Sequence, residues 1–180
     1  TCSNGVSTVS QIKVNSIVPV GGLPSGANGG IIQTVSTTKT DTFSTSSTSF
    51  TDIPGLSVTI TPSSNSSKIL ILVHCTGNGN GSTRVSFRLL RGSTLIGAGD
   101  ANGSRPRTFG GIFAPNNDNT TETVSTVHLD SPATTSATTY KVQVTQGTGQ
   151  TVYVNRSDSY SNHQTHNSGT SSITVMEVSG

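Results

Sequence analysis

The sequence predicts an all-β protein, a jelly-roll-like antiparallel β-sandwich with an extended N-terminal arm. Three observations predict this class. Ser and Thr make up roughly a third of the 180 residues, whereas only 10% of the residues are charged. Short stretches alternate apolar and polar residues between turn residues, which is typical of half-buried strands. No stretch has the period of an amphipathic helix.

The composition also limits the classes of function. Only 29% of the residues are hydrophobic, but the formal net charge is only +2, so the chain lacks the charge typical of disordered proteins. A core with so few hydrophobic residues favours the burial of further strand surface against copies of the same chain. We therefore expect a homo-oligomer. The near-neutral charge, without an arginine stripe, does not indicate nucleic-acid binding. No apolar stretch is long enough to span a membrane, and no signal peptide is recognisable.

The N-terminal segment differs from the rest of the chain. A short alternating stretch carries Ile12, Val14, Ile17 and Val18, and a Gly/Pro-rich linker follows it. A lone strand has no partner in its own segment, so we predict that these four residues anchor the chain to another protein or subunit. The alternative is an edge strand that folds back on its own domain. The predicted division is an arm over residues 1–30 and a sandwich over residues 31–180.

The alternation within the sandwich predicts about eight to ten strands. In chain order they cover residues 31–38, 56–60, 68–75, 84–89, 95–98, 107–113, 123–129, 140–145, 151–155 and 172–178. The short turns predict antiparallel hairpins that join 56–60 to 68–75, 84–89 to 95–98, and 140–145 to 151–155. This number of strands fits a jelly roll.

One strand stands out because its apolar residues, 69–73, do not alternate with polar ones. A strand of this kind is buried on both faces. We predict that one face contacts the sandwich core and the other a neighbouring subunit. We assign Ile69, Ile71 and Val73 to the oligomer interface. Lys68 and His74 mark the more solvent-exposed ends of this strand.

No pattern in the sequence indicates a cofactor or a catalytic centre. His163 and His166 lie in a polar stretch, which favours solvated loop histidines over a metal site. His74 and Cys75 are adjacent in a strand and therefore point to opposite faces. Cys75 follows the aliphatic run, so we predict a buried free thiol that forms thiolate poorly. The carboxylates are dispersed along the chain.

The long polar loops are the expected place for recognition, because rigid scaffolds carry binding residues on their loops. Tyr153 and Tyr160 lie near Arg156 and are the candidates for contact with a carbohydrate, although Tyr153 equally suits cross-strand packing. The predicted receptor-contact residues are Arg105, Tyr153, Arg156, Tyr160, His163 and His166.

Five stretches resemble a family of small virion proteins of marine bacteriophages that are described as tail-fibre-like. They are IKVNSIVP (12–19), KTDTFSTSSTSF (39–50), GLSVTITP (55–62), LDSPATTSATTYKV (129–142) and SITVMEV (172–178). At the level of the fold, the strand order is also similar to the trimeric jelly rolls of the tumour-necrosis-factor and complement-C1q type. In those proteins the inner sheet packs around a threefold axis.

The resemblance implies a structural protein of a bacteriophage particle, without catalytic residues. We expect a short fibre or spike that is attached through its N-terminal arm and contacts a host surface glycan or protein. One alternative is a capsid or tail decoration protein that stabilises the shell, and a third hypothesis is a glycan-cleaving tip enzyme. The expected assembly is a homotrimer bound to other virion proteins. It would lie on the virion surface after synthesis in the host cytoplasm, with no cofactor, nucleic acid or membrane insertion.

Overall fold

The computed structural model describes residues 30–114, 119–159 and 161–180. These ranges contain eleven strands and no helix, which confirms the all-β prediction. The strands are β1 (Ile31–Lys39), β2 (Phe43–Thr45), β3 (Thr51–Ile60), β4 (Lys68–Gly79), β5 (Thr83–Arg91), β6 (Thr94–Ile96), β7 (Gly110–Ala114), β8 (Glu122–Asp130), β9 (Thr138–Gln146), β10 (Val152–Val154) and β11 (Ser171–Val178). The predicted anchor residues Ile12, Val14, Ile17 and Val18 lie outside the described residues.

The first sheet is built around β4, which pairs with β8 along one edge. Along its other edge lie β11 and β10, end to end, because β11 pairs as far as His74 and β10 pairs from Gly77 to Gly79. Beyond them, β1 pairs with β11 and β2 pairs with β10. The strands β1 and β2 therefore act as one long interrupted strand, and so do β10 and β11.

The second sheet has the order β3, β9, β5, and then β6 and β7 end to end along the far edge of β5. If each end-to-end pair counts as one strand, the described chain has eight strands. They pair as first with eighth, second with seventh, third with sixth and fourth with fifth. This nesting is a long antiparallel hairpin rolled up into two sheets, which confirms the predicted jelly-roll-like sandwich.

Two of the predicted hairpins are wrong. The segment 56–60 belongs to β3 in the second sheet, where it pairs with β9, whereas 68–75 belongs to β4 in the first sheet. Likewise 140–145 lies in β9, and 151–155 contains β10 of the other sheet. Turn residues mark a change of direction, but they do not show whether the chain returns in one sheet or crosses to the other. The β5–β6 hairpin is confirmed by the pair Arg91 and Thr94.

The core lies between the sheets and corrects one assignment. Ile69, Ile71 and Val73 are at most 2% exposed and pack inside the sandwich, so they are not available to a neighbouring subunit. The side chains of a strand alternate between its faces, and the outward positions of this run are those of Leu70 and Leu72. The core also includes Leu56, Ile60, Val85, Phe87, Leu89, Tyr140, Val142, Val144, Val152, Val154, Ile173 and Val175.

A polar cluster joins the two sheets at one end of the core. The Tyr140 hydroxyl on β9 donates a 2.7 Å hydrogen bond to Asp130 Oδ2 on β8. Arg91 Nη1 on β5 donates to both carboxylate oxygens of Asp130, at 2.8 and 2.9 Å. Tyr140 is fully buried, and burial raises the pKa of its hydroxyl, as does the hydrogen bond to Asp130. The buried carboxylate is thus paired as well as hydrogen-bonded, as burial of a charge requires.

Asn155 closes the long loop 155–170, which interrupts the β10–β11 strand. Its Nδ2 donates to the carbonyl oxygens of Lys39 and Asp41, both at 2.9 Å. Ser171 Oγ donates to its Oδ1 at 2.6 Å. The backbone of Asn155 has a positive φ of 64°, which asparagine tolerates better than most residues. The loop base is therefore fixed to the neighbouring strand, and the polar loop projects from a rigid point.

Candidate functional site

The outer face of the first sheet carries a band of exposed aliphatic side chains. Leu72 on β4 lies opposite Val127 on β8, and Leu70 lies opposite Leu129. Val127 is 68% exposed, Leu129 54% and Leu72 37%. Directly opposed strand residues have side chains close together on one face. These four residues, which we call the aliphatic band, therefore form one continuous apolar surface.

The band continues across the sheet toward β1. Met176 on β11 lies opposite Leu70, and Val178 lies opposite Ile31, which is 57% exposed. The band ends in polar side chains on β4. At one end Lys68 Nζ donates to Ser131 Oγ at 2.8 Å. At the other end, His74 Nδ1 lies 3.3 Å from Ser125 Oγ. A contiguous apolar patch with polar ends is typical of a protein-interaction surface.

The predicted interface residues of β4 thus point into the core, and the outward aliphatic residues of this strand are Leu70 and Leu72. Val127 and Leu129 were also missed. Their neighbours His128 and Asp130 point inward. At this end of β8 the apolar residues therefore face outward and the polar residues face inward, which is the reverse of an ordinary surface strand. The sequence of residues 122–130 shows that apolar and polar residues alternate. It does not show which of them face inward unless the buried pair of Asp130 and Arg91 is known.

Two pairs of the predicted receptor-contact residues are brought together by the structure. The Arg156 guanidinium carbon lies 3.8 Å from the centre of the Tyr153 ring, which is a cation–π contact. The rings of His163 and His166 lie with their centres 5.6 Å apart. The histidines line a polar pocket of about 320 Å³ together with Ser161, Asn162 and Ser168.

Two of the predicted receptor-contact residues lie apart from these pairs. Arg105 is exposed on a different loop, the one that precedes β7, and Tyr160 lies outside the described residues. Across the described ranges, no group of three or more His, Cys, Asp or Glu side chains is placed to hold a metal ion. The same ranges contain no helix that is long and apolar enough to cross a membrane.

Cys75 has the environment that the sequence predicted. The thiol is fully buried and unpaired, and burial raises its pKa to about 12. His74 points to the opposite face of β4, toward Ser125. The two side chains therefore cannot form a nucleophile and base pair.

Several carboxylates are held in structural pairs. Asp41 lies 2.8 Å from Lys39 Nζ, and this hydrogen bond lowers the pKa of the Asp41 carboxyl. Asp52 pairs with Lys141 at 2.8 Å and also accepts a hydrogen bond from Gln143. In these pairs the carboxylates fix neighbouring strands and loops.

No family model matches the chain, and no curated protein sequence matches it. Among solved structures, the chain is similar to one described as the structure of infectious bursal disease virus Gx strain. The TM-score is 0.39 and the sequence identity is 12%. The match covers 90% of this chain and 47% of that chain, so this chain spans about half the length of the chain that it matches.

Proposed function

We propose that this chain is a non-enzymatic structural protein of a bacteriophage particle, a short fibre or spike that assembles as a homo-oligomer. The observation that carries the proposal is the aliphatic band on an open sheet face of a jelly-roll sandwich. No described part of the chain packs over the aliphatic band, and Leu72, Val127 and Leu129 remain exposed. The resemblance of the sequence to marine bacteriophage virion proteins supports the bacteriophage origin, and jelly rolls are a common fold of viral structural proteins.

The band favours a second copy of this chain as its partner. Together with Met176 on β11 it crosses three neighbouring strands, and its central positions are aliphatic, without a charge that would select an oppositely charged partner. Burying a whole aliphatic side chain contributes about 1.5–3 kcal/mol, so several half-exposed ones can hold subunits together. By resemblance to trimeric jelly rolls, the proposed assembly is a homotrimer.

The placement of the two ends of the sandwich supports a fibre. The arm enters β1 beside the end of β11, where Ser179 N donates to Gly30 O at 2.9 Å. That end of the sheet also holds Lys68, the first residue of β4. The loop 155–170 leaves β10 beside Gly77, roughly 30 Å farther along β4. An arm bound to the virion would therefore leave the loop with Tyr153 and Arg156 at its base at the far end, facing the host surface.

A decoration protein is the second candidate. A broad, open apolar sheet face could also lie flat against a capsid or tail shell and stabilise it. In that case the band would contact another virion protein rather than a second copy. Both candidates place the chain on the virion surface, after synthesis in the host cytoplasm.

Labelling of intact particles with an antibody against this chain separates the two candidates. A few labelled copies at the tail are expected for a fibre, whereas dense labelling of the shell would support the decoration protein. Light scattering of the purified chain tests the assembly independently. A monomer at the concentrations found in the particle would overturn the homo-oligomer.

A further inference from the structure

The outer face of the second sheet, on the other side of the sandwich from the aliphatic band, contains a groove with a different chemistry. Two adjoining cavities of about 500 and 460 Å³ share Arg84 and Ser86 as lining residues. Phe113 lines the first cavity and Phe50 lines the second. Cavities of this volume are typical of sites for small ligands.

The floor of the groove is set by the register of the strands. Arg84 on β5 lies opposite Phe113 on β7, and Ser86 lies opposite Gly111 on one side and Thr145 on the other. Gly111 lies so close to β5 that an added Cβ would be 2.6 Å from the carbonyl oxygen of Val85. The Arg84 guanidinium carbon is 5.7 Å from the centre of the Phe113 ring, and Phe113 is 50% exposed.

The second aromatic ring is held in place by a polar network. The Arg88 guanidinium carbon lies 4.0 Å from the centre of the Phe50 ring. Arg88 Nε donates to Gln143 Oε1 at 2.7 Å, and Gln143 in turn donates to Asp52. Arg88 is thus linked to a carboxylate through Gln143 and serves as support for Phe50.

Arg84, in contrast, makes no ion pair with any described carboxylate. No described Asp or Glu lines either cavity. Ser86, Thr108 and Thr48 also line the groove, and none of their hydroxyl groups is committed to a hydrogen bond within the described residues. Within the described residues, the groove thus combines a guanidinium that has no ion-pair partner, hydroxyl groups that make no hydrogen bond and two aromatic rings.

We propose that this groove binds an acidic saccharide, with its carboxylate on Arg84. A guanidinium binds a carboxylate through two parallel hydrogen bonds. The apolar C–H face of a sugar ring packs against an aromatic ring, and the hydroxyl groups of the sugar reach Ser86 and Thr108. A peptide that adds a strand pairs with the backbone of an edge strand. Arg84 and Ser86 instead present side chains on the face of a strand that is paired on both sides, which favours a saccharide over an acidic peptide.

The test is titration of the purified full chain with digalacturonic acid, followed by NMR or calorimetry. The matched probe is its dimethyl ester, which keeps the hydroxyl groups and loses the charge. We expect the ester to bind at least ~10-fold more weakly, since hydrogen bonds between charged groups are the strong ones. Equal binding of acid and ester would overturn the proposal.

Variants locate the site. Arg84→Gln should weaken binding by at least ~10-fold, and Arg84→Lys by a smaller factor, because lysine keeps the charge without the two-pronged geometry. Phe113→Ala should also weaken it several-fold. The matched control is Lys68→Gln, which removes one positive charge from β4 in the opposite sheet and should leave binding unchanged. Arg156→Gln tests the loop base as the alternative place for the saccharide. If Arg156→Gln weakens binding and Arg84→Gln does not, the proposed site is wrong.

A hexaglutamate peptide distinguishes the chemical classes. If it binds as tightly as the saccharide, with the same loss in Arg84→Gln and no loss in Phe113→Ala, the groove is a general anion site and the proposal fails. Thermal melting of each variant verifies its fold. If Arg84→Gln does not fold, the binding of Arg84→Lys is compared with that of the unmodified chain instead. These results do not depend on the proposed assembly, which uses the opposite sheet.

Discussion

Leu72 and Val127 are direct partners across β4 and β8, and both side chains lie on the open face of the first sheet. Elsewhere the outward positions of the same sheet carry Ser and Thr, as in the pair Ser36 and Thr174, whose hydroxyl oxygens are 2.7 Å apart. The sheet therefore changes from polar to aliphatic along its outer face. This local change, within a chain so poor in apolar residues, indicates a contact surface.

Replacement of Val127 by Asp should dissociate the proposed homo-oligomer without unfolding the subunit. The side chain is 68% exposed, so the charge stays hydrated in a monomer and is buried only in an assembly. We expect light scattering to give the mass of a monomer and circular dichroism to remain that of a β protein. Ser125→Asp, on the same strand and face but beside His74, is the control and should keep the oligomer. An intact Val127→Asp oligomer would exclude this face as the interface.

Tyr140→Phe should lower the free energy of unfolding by about 1–3 kcal/mol, because it removes a donor from the buried carboxylate of Asp130. The loss should be partial, since Arg91 continues to hold that carboxylate. Urea unfolding measures the difference. Tyr153→Phe removes a hydroxyl from a half-buried ring at the surface and should change the stability by much less. Equal effects of the two substitutions would show that the bridge between the sheets contributes little.

The sequence was sufficient for the fold class but not for the pairing of strands. Alternation and turn residues predict strands such as β8 and β11, because burial of one face imposes a period of two. Whether β3 pairs with β4 or crosses to β9 depends on contacts that are distant in sequence. Asp130 illustrates the same limit for the site. Its partners Arg91 and Tyr140 lie on two other strands, and without them its inward direction, and hence the outward direction of Leu129, is unknown.

The thiol of Cys75 should be unreactive in the folded protein. Burial raises its pKa to about 12, so almost no thiolate exists at pH 8. In a Cys2→Ser variant, where Cys75 is the remaining cysteine, a disulfide reagent should release no colour until urea unfolds the chain. After unfolding, one equivalent should react. Rapid reaction of the native variant would mean that β4 opens far more readily than its core position implies.

Glu177 should make the stability of the sandwich depend on pH in the acid range. Its carboxylate is fully buried and accepts hydrogen bonds from Ser63 N at 2.7 Å, from Ser63 Oγ at 2.6 Å and from Gln33 Nε2. Burial acts to raise the pKa of this group, but the hydrogen bonds from Gln33 and Ser63 outweigh it and lower the pKa to about 2. These contacts fasten the segment 61–67, where the chain crosses between the sheets.

Because the folded pKa is below the unfolded value of 4.5, the stabilisation is complete above pH 4.5 and is lost as the pH falls toward 2. Glu177→Gln should therefore reduce the free energy of unfolding by about 2–3 kcal/mol at pH 7 and by much less at pH 2.5. Urea unfolding of both proteins at the two pH values measures this difference. Glu122→Gln, at an exposed position, should have little effect at either pH. A loss in Glu177→Gln that is the same at pH 7 and pH 2.5 would mean that the shape of the side chain, and not its charge, holds the crossing segment.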